Sequence, residues 1–127
     1  MSKTILFLYG TLRTGQRNHR LMSNSRFICK VKTLPHYRLY DLGDYPGMVR
    51  DEQNGLAVRG EMWEVDATTL MMLDALEDID DGLYERVLVE IDHAAVGVES
   101  YLYLPPIPAD AASGAEWEAS GGLRNEE

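Results

Sequence analysis

One stretch of the chain, residues 58–77, passes from the period of a strand to the spacing of a helix within a few positions. Residues 58–65 alternate apolar and polar side chains, which predicts a strand with one buried face. Asp66 follows as a candidate N-cap, and Leu70, Leu73 and Leu76 then recur at the three- and four-residue spacing of one helical face. We therefore predict a strand that passes into a helix with hardly any loop between them.

Other segments favour short strands separated by turns. The predicted strands cover residues 5–9, 26–34, 37–41, 84–92 and 98–104. Residues 42–47 carry Gly and Pro-Gly turn chemistry, and Asn54-Gly55 is a hairpin signal. Asn18 is a candidate cap for a short helix through Arg20, Leu21 and Met22.

The length of 127 residues suits one domain, and 45% hydrophobic with 26% charged residues is an ordinary globular composition. No apolar run approaches the length of a membrane helix, and the first residues lack the apolar core of a signal peptide, so we expect a cytoplasmic protein. Pro, Ala, Gly, Ser and Glu dominate after Leu104. We therefore expect one domain over residues 1–104 and a loosely ordered tail over residues 105–127.

Charge is distributed unevenly along the chain. Residues 1–40 carry +8, residues 41–104 carry −13 and residues 105–127 carry −4, which gives the formal net charge of −9. This sign disfavours nonspecific binding to nucleic acid or to an anionic membrane. The basic first segment either attracts a small anion or is neutralised by the acidic remainder within the fold.

The sequence gives no support for a metal or thiol site. Its three histidines, His19, His36 and His93, are scattered, and none stands beside a cysteine. Cys29 is the only cysteine, which excludes an intrachain disulfide, and its apolar neighbours predict a buried, inert thiol. We predict neither a catalytic metal nor a cofactor.

Two features remain as candidates for chemistry. Gly10 closes the first strand, where it permits unusual backbone angles and close approach of a ligand, and successive N–H groups in such a turn can bind an anion. Most turns of this kind bind nothing. Glu77 shares the apolar helical face, and a half-buried carboxylate has the raised pKa of a general base working near neutral pH. The alternative is that Glu77 pairs with an arginine such as Arg86.

Six short motifs together resemble one known family over roughly residues 4–104. They are Tyr9-Gly10-Thr11-Leu12-Arg13-x-Gly15-x-x-Asn18, Tyr45-Pro46-Gly47, Val58-x-Gly60-Glu61-x-Trp63-x-Val65, Leu73-Asp74-x-x-Glu77, Tyr84-x-Arg86 and Tyr101-Leu102-Tyr103. Their order and spacing are similar to those of the gamma-glutamylcyclotransferase-like family. The short Tyr9–Arg13 form resembles the gamma-glutamylamine branch more than the longer glutathione-related enzymes.

The resemblance implies an α+β fold, a small mixed β-barrel with a few short helices and a pocket at one end. It also implies a metal-independent cyclotransferase of lyase or acyltransferase type, which converts a gamma-glutamyl amide into 5-oxoproline and a free amine. Glu77 is then the general base, and the substrate-binding residues are Tyr9, Gly10, Thr11, Leu12, Tyr84 and Tyr103.

The resemblance leaves several alternatives open. One alternative is a domain that binds a gamma-glutamyl group or a similar small acid without turnover, or that serves as an interaction module. Another is a metal-free enzyme that catalyses acid–base chemistry on a different small carboxylate. Retention of Glu77 favours catalysis. The sequence specifies neither the leaving amine nor the oligomeric state, and it implies a small-molecule substrate as the partner.

Overall fold

The computed structural model describes residues 3–94, 96–118 and 122–124. The strands are β1 Lys3–Leu8, β2 Arg26–Lys32, β3 Tyr37–Asp41, β4 Pro46–Arg50, β5 Arg59–Asp66, β6 Tyr84–Val89, β7 Val98–Tyr103, β8 Ser113–Gly114, β9 Glu116–Trp117 and β10 Leu123–Arg124. The helices are a 3₁₀ turn, His19–Met22, and α1, Ala67–Leu76. No helix of the described ranges is long and apolar enough to cross a membrane.

Strands β1 to β8 form one mixed, strongly curled sheet. Its order is β2-β5-β1-β7-β4-β3-β8, and β6 pairs with β7 beside this path. Strand β7 runs parallel to β1 at Glu99 and parallel to β4 at Leu102, so it joins the two halves of the sheet. A bridge between Thr33 and Ile91 draws the β2 side toward the end of β6. The predicted α+β barrel-like fold is confirmed.

The predicted passage from strand to helix is also confirmed. Strand β5 ends at Asp66, and its carboxylate accepts a hydrogen bond of 2.8 Å from the backbone N–H of Thr69. This capping bond satisfies one of the free N–H groups in the first turn of α1. Leu73, on the inner face of α1, is fully buried, and Glu77 is the C-cap residue that directly follows the helix.

Two local predictions were wrong in detail. Asn18 precedes the 3₁₀ turn, but its side chain donates to the Thr11 hydroxyl and caps nothing. Asn54-Gly55 does not form a hairpin, because β4 pairs with β3 and β7 instead of the following strand. The hairpin turn lies earlier, between β3 and β4, where Gly43 adopts a φ of 109°.

The C-terminal segment, residues 113–118, differs from the loose extension that its composition predicts. Strand β8 pairs with β3, and Trp117 and Ala115 are only 3% and 1% exposed. Trp117 packs into the same apolar cluster as Phe7 and Val58. One large aromatic side chain therefore anchors a segment of otherwise loop-like composition. Residues 119–121 and 125–127 of the predicted tail lie outside the described residues.

Candidate active site

A cavity of about 190 Å³ opens at the end of β1. Its walls come from the loop that follows β1, the turn before β4, the end of α1 and the strands β6 and β7. The lining residues are Phe7, Leu8, Tyr9, Gly10, Thr11, Leu12, Arg17, Asn18, Tyr45, Pro46, Leu76, Glu77, Leu83, Tyr84 and Tyr101. The structure thus brings together Glu77, Tyr84 and the four predicted residues of the loop.

Gly10 is required here for space. Its φ lies outside the left-handed region, so unusual backbone angles do not explain it, contrary to one of the two predicted reasons. A Cβ at this position would lie 3.1 Å from Cγ of Pro46. Only glycine therefore lets the loop pass this close to the start of β4 without displacing Pro46.

The backbone of the cavity loop, residues 9–18, leaves donors free. The Gly10 carbonyl accepts hydrogen bonds of 3.2 Å from both the backbone N–H and Nε of Arg13. In a trans peptide the neighbouring N–H, that of Thr11, points the opposite way. Within the described residues, the N–H groups of Thr11 and Leu12 donate to no backbone or side-chain acceptor. Free N–H groups in a turn that lines a cavity can bind a carbonyl oxygen or a carboxylate.

Side-chain bonds fix the shape of this loop. Asn18 donates to the Thr11 hydroxyl over 2.9 Å, and its own N–H donates to the Thr11 carbonyl over 3.0 Å. Nδ1 of His19 lies 3.0 Å from the carbonyl oxygen of Leu12. These contacts assign His19 to loop packing and hold the Thr11–Leu12 backbone in one conformation.

Glu77 carries the carboxylate of the cavity. Burial, followed by repulsion from the neighbouring Asp78, raises its pKa from 4.5 to about 7. Over the described part of the chain, no side-chain hydrogen bond or salt bridge reaches this carboxylate, which lines the cavity wall. A carboxyl group that exchanges its proton near neutral pH and faces a cavity has the properties of a general acid–base.

The alternative pairing of Glu77 with Arg86 was wrong. The Arg86 guanidinium binds Asp74 through two bonds of 2.9 and 3.0 Å and also contacts Glu99. Tyr101 adds a bond of 2.7 Å from its hydroxyl to Asp74. The cation nearest in sequence is therefore fully engaged by carboxylates other than Glu77.

Tyrosine rings build one wall of the cavity. The Tyr84 hydroxyl donates to the Pro46 carbonyl over 2.8 Å, which fixes its ring against the start of β4. The Tyr9 hydroxyl is buried, donates to the Tyr101 carbonyl over 2.6 Å and accepts from the Met48 N–H over 3.2 Å. Tyr9 thus contributes its ring and backbone to the site, while its hydroxyl joins β1 to β7 and β4.

Tyr103 does not line the cavity, in contrast to its prediction as a wall residue. Its ring packs edge-on against Tyr84, with centroids 5.4 Å apart, and its Cβ closely approaches Gly47. Tyr103 pairs directly with Tyr84 across β6 and β7, so the two rings lie side by side on one face of the sheet, and of the two only Tyr84 lines the cavity.

Sequence reasoning missed several lining residues. Tyr45, Pro46, Asn18 and Tyr101 belong to motifs that carried the family resemblance, so their presence was a usable signal. Arg17 had no such signal. It is the cationic side chain among the lining residues, it is exposed, and its guanidinium donates to the Asp44 carbonyl over 2.6 Å.

Comparisons with known proteins identify the family of the chain. The family model described as gamma-glutamyl cyclotransferase, AIG2-like, matches residues 6–120. A Vibrio cholerae protein is 47% identical over 75 residues, which are 59% of this chain and 63% of that protein. Human gamma-glutamylaminecyclotransferase is 32% identical over 114 residues, which cover 82% of this chain and 71% of the human protein.

Comparison with solved structures finds proteins of the same family. An AIG2-like protein from Mus musculus, in a crystal structure, superimposes with a TM-score of 0.79 at 25% identity and covers 100% of this chain and 97% of its own. The Escherichia coli protein YtfP, a solution structure, gives a TM-score of 0.69 at 31% identity over 89% of this chain and 93% of its own. The chain therefore belongs to the AIG2-like gamma-glutamylcyclotransferase family.

Proposed function

We propose that this protein is a gamma-glutamylcyclotransferase that acts on gamma-glutamyl amides and releases 5-oxoproline and a free amine. The observation that carries the proposal is the unpaired Glu77 carboxylate, with its pKa near 7, in the same cavity as the free N–H groups of Thr11 and Leu12. A base and a group of oxyanion donors are the two elements that this ring closure needs.

The substrate supplies its own nucleophile. Glu77 accepts a proton from the α-ammonium group, and the freed amine attacks the γ-carbonyl carbon to form the five-membered ring. The oxyanion that develops on the γ-carbonyl oxygen accepts hydrogen bonds from the loop N–H groups. Glu77 then donates a proton to the leaving nitrogen as the bond between it and the γ-carbon breaks. The ring nitrogen loses its second proton to the ionised Glu77, which passes it to the released amine, so the products are 5-oxoproline and an ammonium ion, and the chemistry calls for no metal or enzyme nucleophile.

Two effects supply the acceleration. The cavity holds the gamma-glutamyl chain folded, which places the amine close to the γ-carbon and provides on the order of several kcal/mol. General acid–base catalysis by Glu77 contributes about 10²–10⁴-fold. The tyrosine wall and the close approach of Gly10 to Pro46 make the cavity narrow enough for such folding.

The leaving amine faces the cavity mouth. Leu76 and Leu83 line the cavity with partly exposed apolar side chains, and Arg17 adds one positive charge. We propose that small apolar amines or amino acids leave through this opening, and that the gamma-glutamylamine class named for the human relative is one such group. The ranking of amines in the experiment below tests this assignment.

The test is detection of 5-oxoproline by mass spectrometry after incubation of the purified protein with gamma-glutamyl-alanine, gamma-glutamyl-ε-lysine and gamma-glutamyl alkylamines. Thr11→Ala serves as a mild variant, because it removes the hydroxyl that binds Asn18 but keeps the backbone N–H. We expect 5-oxoproline from the wild type and a smaller loss for Thr11→Ala than for Glu77→Gln. Folded protein that binds these amides and yields no 5-oxoproline would establish the binding-only alternative.

A further inference from the structure

The cavity loop has two sides, one that faces the cavity and one that faces away from it, and they contact different parts of the chain. Thr11 and Leu12 border the cavity, whereas Arg13 and Thr14 border a separate polar groove beside β2, β5 and β9. The groove side therefore holds the loop without touching a ligand in the cavity.

Arg13 is the central contact on that side. It is only 9% exposed, its Nε donates to the Gly10 carbonyl, and its Nη2 donates to the carbonyl of Trp117. Burial lowers the pKa of this guanidinium, and the nearby carboxylates of Glu116 and Glu61 oppose that effect. One buried side chain thus joins the cavity loop to the C-terminal segment.

A second anchor lies beside it. The buried Glu61 carboxylate accepts from the N–H of Thr14 over 3.0 Å, from its hydroxyl over 3.2 Å and from Nε1 of Trp63 over 3.0 Å. The loop therefore cannot rotate as a unit, and the orientation of the Gly10–Thr11 peptide depends on the two bonds that the Gly10 carbonyl accepts, one from the backbone N–H of Arg13 and one from its Nε.

We propose that Arg13 is a positioning residue for the reaction. Its Nη2 bond to the Trp117 carbonyl fixes the guanidinium, and its Nε adds a second donor to the one that the Arg13 N–H supplies to the Gly10 carbonyl. This keeps the Thr11 N–H turned toward the cavity as a donor to the substrate oxyanion. The proposal rests on the proposed cyclotransferase function for its kinetic consequence. It also makes the C-terminal segment part of the site, although no residue of that segment lines the cavity.

The chain offers a matched control in Arg38. This arginine also ties the C-terminal segment to the barrel, since it donates to the Ser113 hydroxyl over 2.8 Å and to the Asn54 carbonyl over 2.7 Å. It contacts no residue of the cavity loop in the described structure. Arg38→Met should therefore cost stability but leave the cavity loop unchanged.

The experiment compares Arg13→Met, Arg13→Lys and Arg38→Met in three readouts: urea unfolding, kcat and KM, and the amide ¹H–¹⁵N resonance of Thr11 with and without 5-oxoproline. For Arg13→Met we expect kcat/KM to fall by about tenfold or more, mainly through kcat. The kinetics are measured in buffer without urea, where the unfolding curve shows that the variant is folded. Arg13→Lys should give a smaller loss than Arg13→Met, because its ammonium group can still donate to one of the two carbonyls. It should not restore full activity, because one ammonium group cannot bridge both carbonyls as a guanidinium does. The Thr11 resonance should move in Arg13→Met but not in Arg38→Met.

Two results would overturn the proposal. One is a folded Arg13→Met variant with wild-type kcat/KM and an unmoved Thr11 resonance. The other is an equal kinetic loss in Arg38→Met, which would mean that stability alone matters. If the wild type forms no 5-oxoproline, the proposed function fails, and the Thr11 resonance still decides whether Arg13 orients that peptide.

Discussion

Replacing Glu77 by glutamine should make the protein more stable at the pH where it is most active. Burial and the Asp78 charge raise the pKa of Glu77 from 4.5 to about 7, so folding costs free energy whenever this group is ionised. One pKa unit corresponds to about 1.4 kcal/mol, which gives about 3 kcal/mol for the full difference. Because the cavity opens to water, which screens part of this cost, we expect Glu77→Gln to raise the free energy of unfolding by about 2 kcal/mol above pH 7.

The sign follows from proton binding. Between pH 4.5 and about 7 the folded protein holds the Glu77 proton more tightly than the unfolded chain does. The free energy of unfolding therefore falls as the pH rises through this window, and it changes no further from this group above pH 7. The glutamine variant lacks this contribution, so its advantage over the wild type grows from near zero at pH 4.5 to its full value above pH 7.

Urea unfolding of both proteins at pH 4.5, 6 and 8 measures the difference, and 5-oxoproline formation on the same samples measures the loss of turnover, about 10²–10⁴-fold. Asp74→Asn is the matched control, because Asp74 lies one turn earlier and is bound by Arg86. It should destabilise the protein. A Glu77→Gln variant of equal or lower stability at pH 8 would show that the cavity does not strain this carboxylate, and the argument for its role would fail.

Three further changes test the site. Asp78→Asn removes the neighbouring charge that contributes to the raised pKa of Glu77, so the acid limb of the kcat/KM profile should move to lower pH; an unmoved limb would assign that limb to another group. Gly10→Val places a Cβ 3.1 Å from Pro46, and we expect at least a tenfold loss of kcat/KM, with circular dichroism to verify folding. Tyr9→Phe removes two buried hydrogen bonds and should cost about 1–3 kcal/mol in urea unfolding, whereas a cost near zero would contradict the role assigned to its hydroxyl.

Local patterns predicted those parts of the fold that local forces determine. Asp66 caps α1 as its position before a helical pattern indicates, since an N-cap bonds within three residues of itself. Residues 113–117 were misjudged for the opposite reason: a two-residue strand has no readable period, and burial of Trp117 depends on partners such as Phe7 from the far end of the chain. The Asn54-Gly55 turn signal failed similarly, because pairing of β4 with β7 is decided by distant residues.

The same distinction applies to the site. Glu77 was recognisable from its helical face and from the family motif, and the structure adds that its candidate partner Arg86 is bound by Asp74 and Glu99 instead. Tyr103 was a candidate wall residue beside Tyr84, but in the structure the two rings pack edge to face as cross-strand neighbours and only that of Tyr84 lines the cavity. Arg13 was visible in the sequence only as one residue of a motif, since its buried bond to Trp117 spans 104 positions.

Several independent features of its position destabilise the ionised form of Glu77. It lies at the C-cap of α1, where the helix dipole disfavours a negative charge, and the last turn of that helix contains no basic residue to offset it. Asp78 follows directly, and burial adds the largest penalty. Asp74, one turn earlier on the same helix, received an arginine partner, so the fold could supply a cation at this end. One carboxylate of this helix end, Asp74, is stabilised by an arginine, while the other, Glu77, is left in the described structure without a cation beside an open cavity. Such a destabilised carboxylate is typical of a catalytic group whose ionisation must remain reversible near neutral pH.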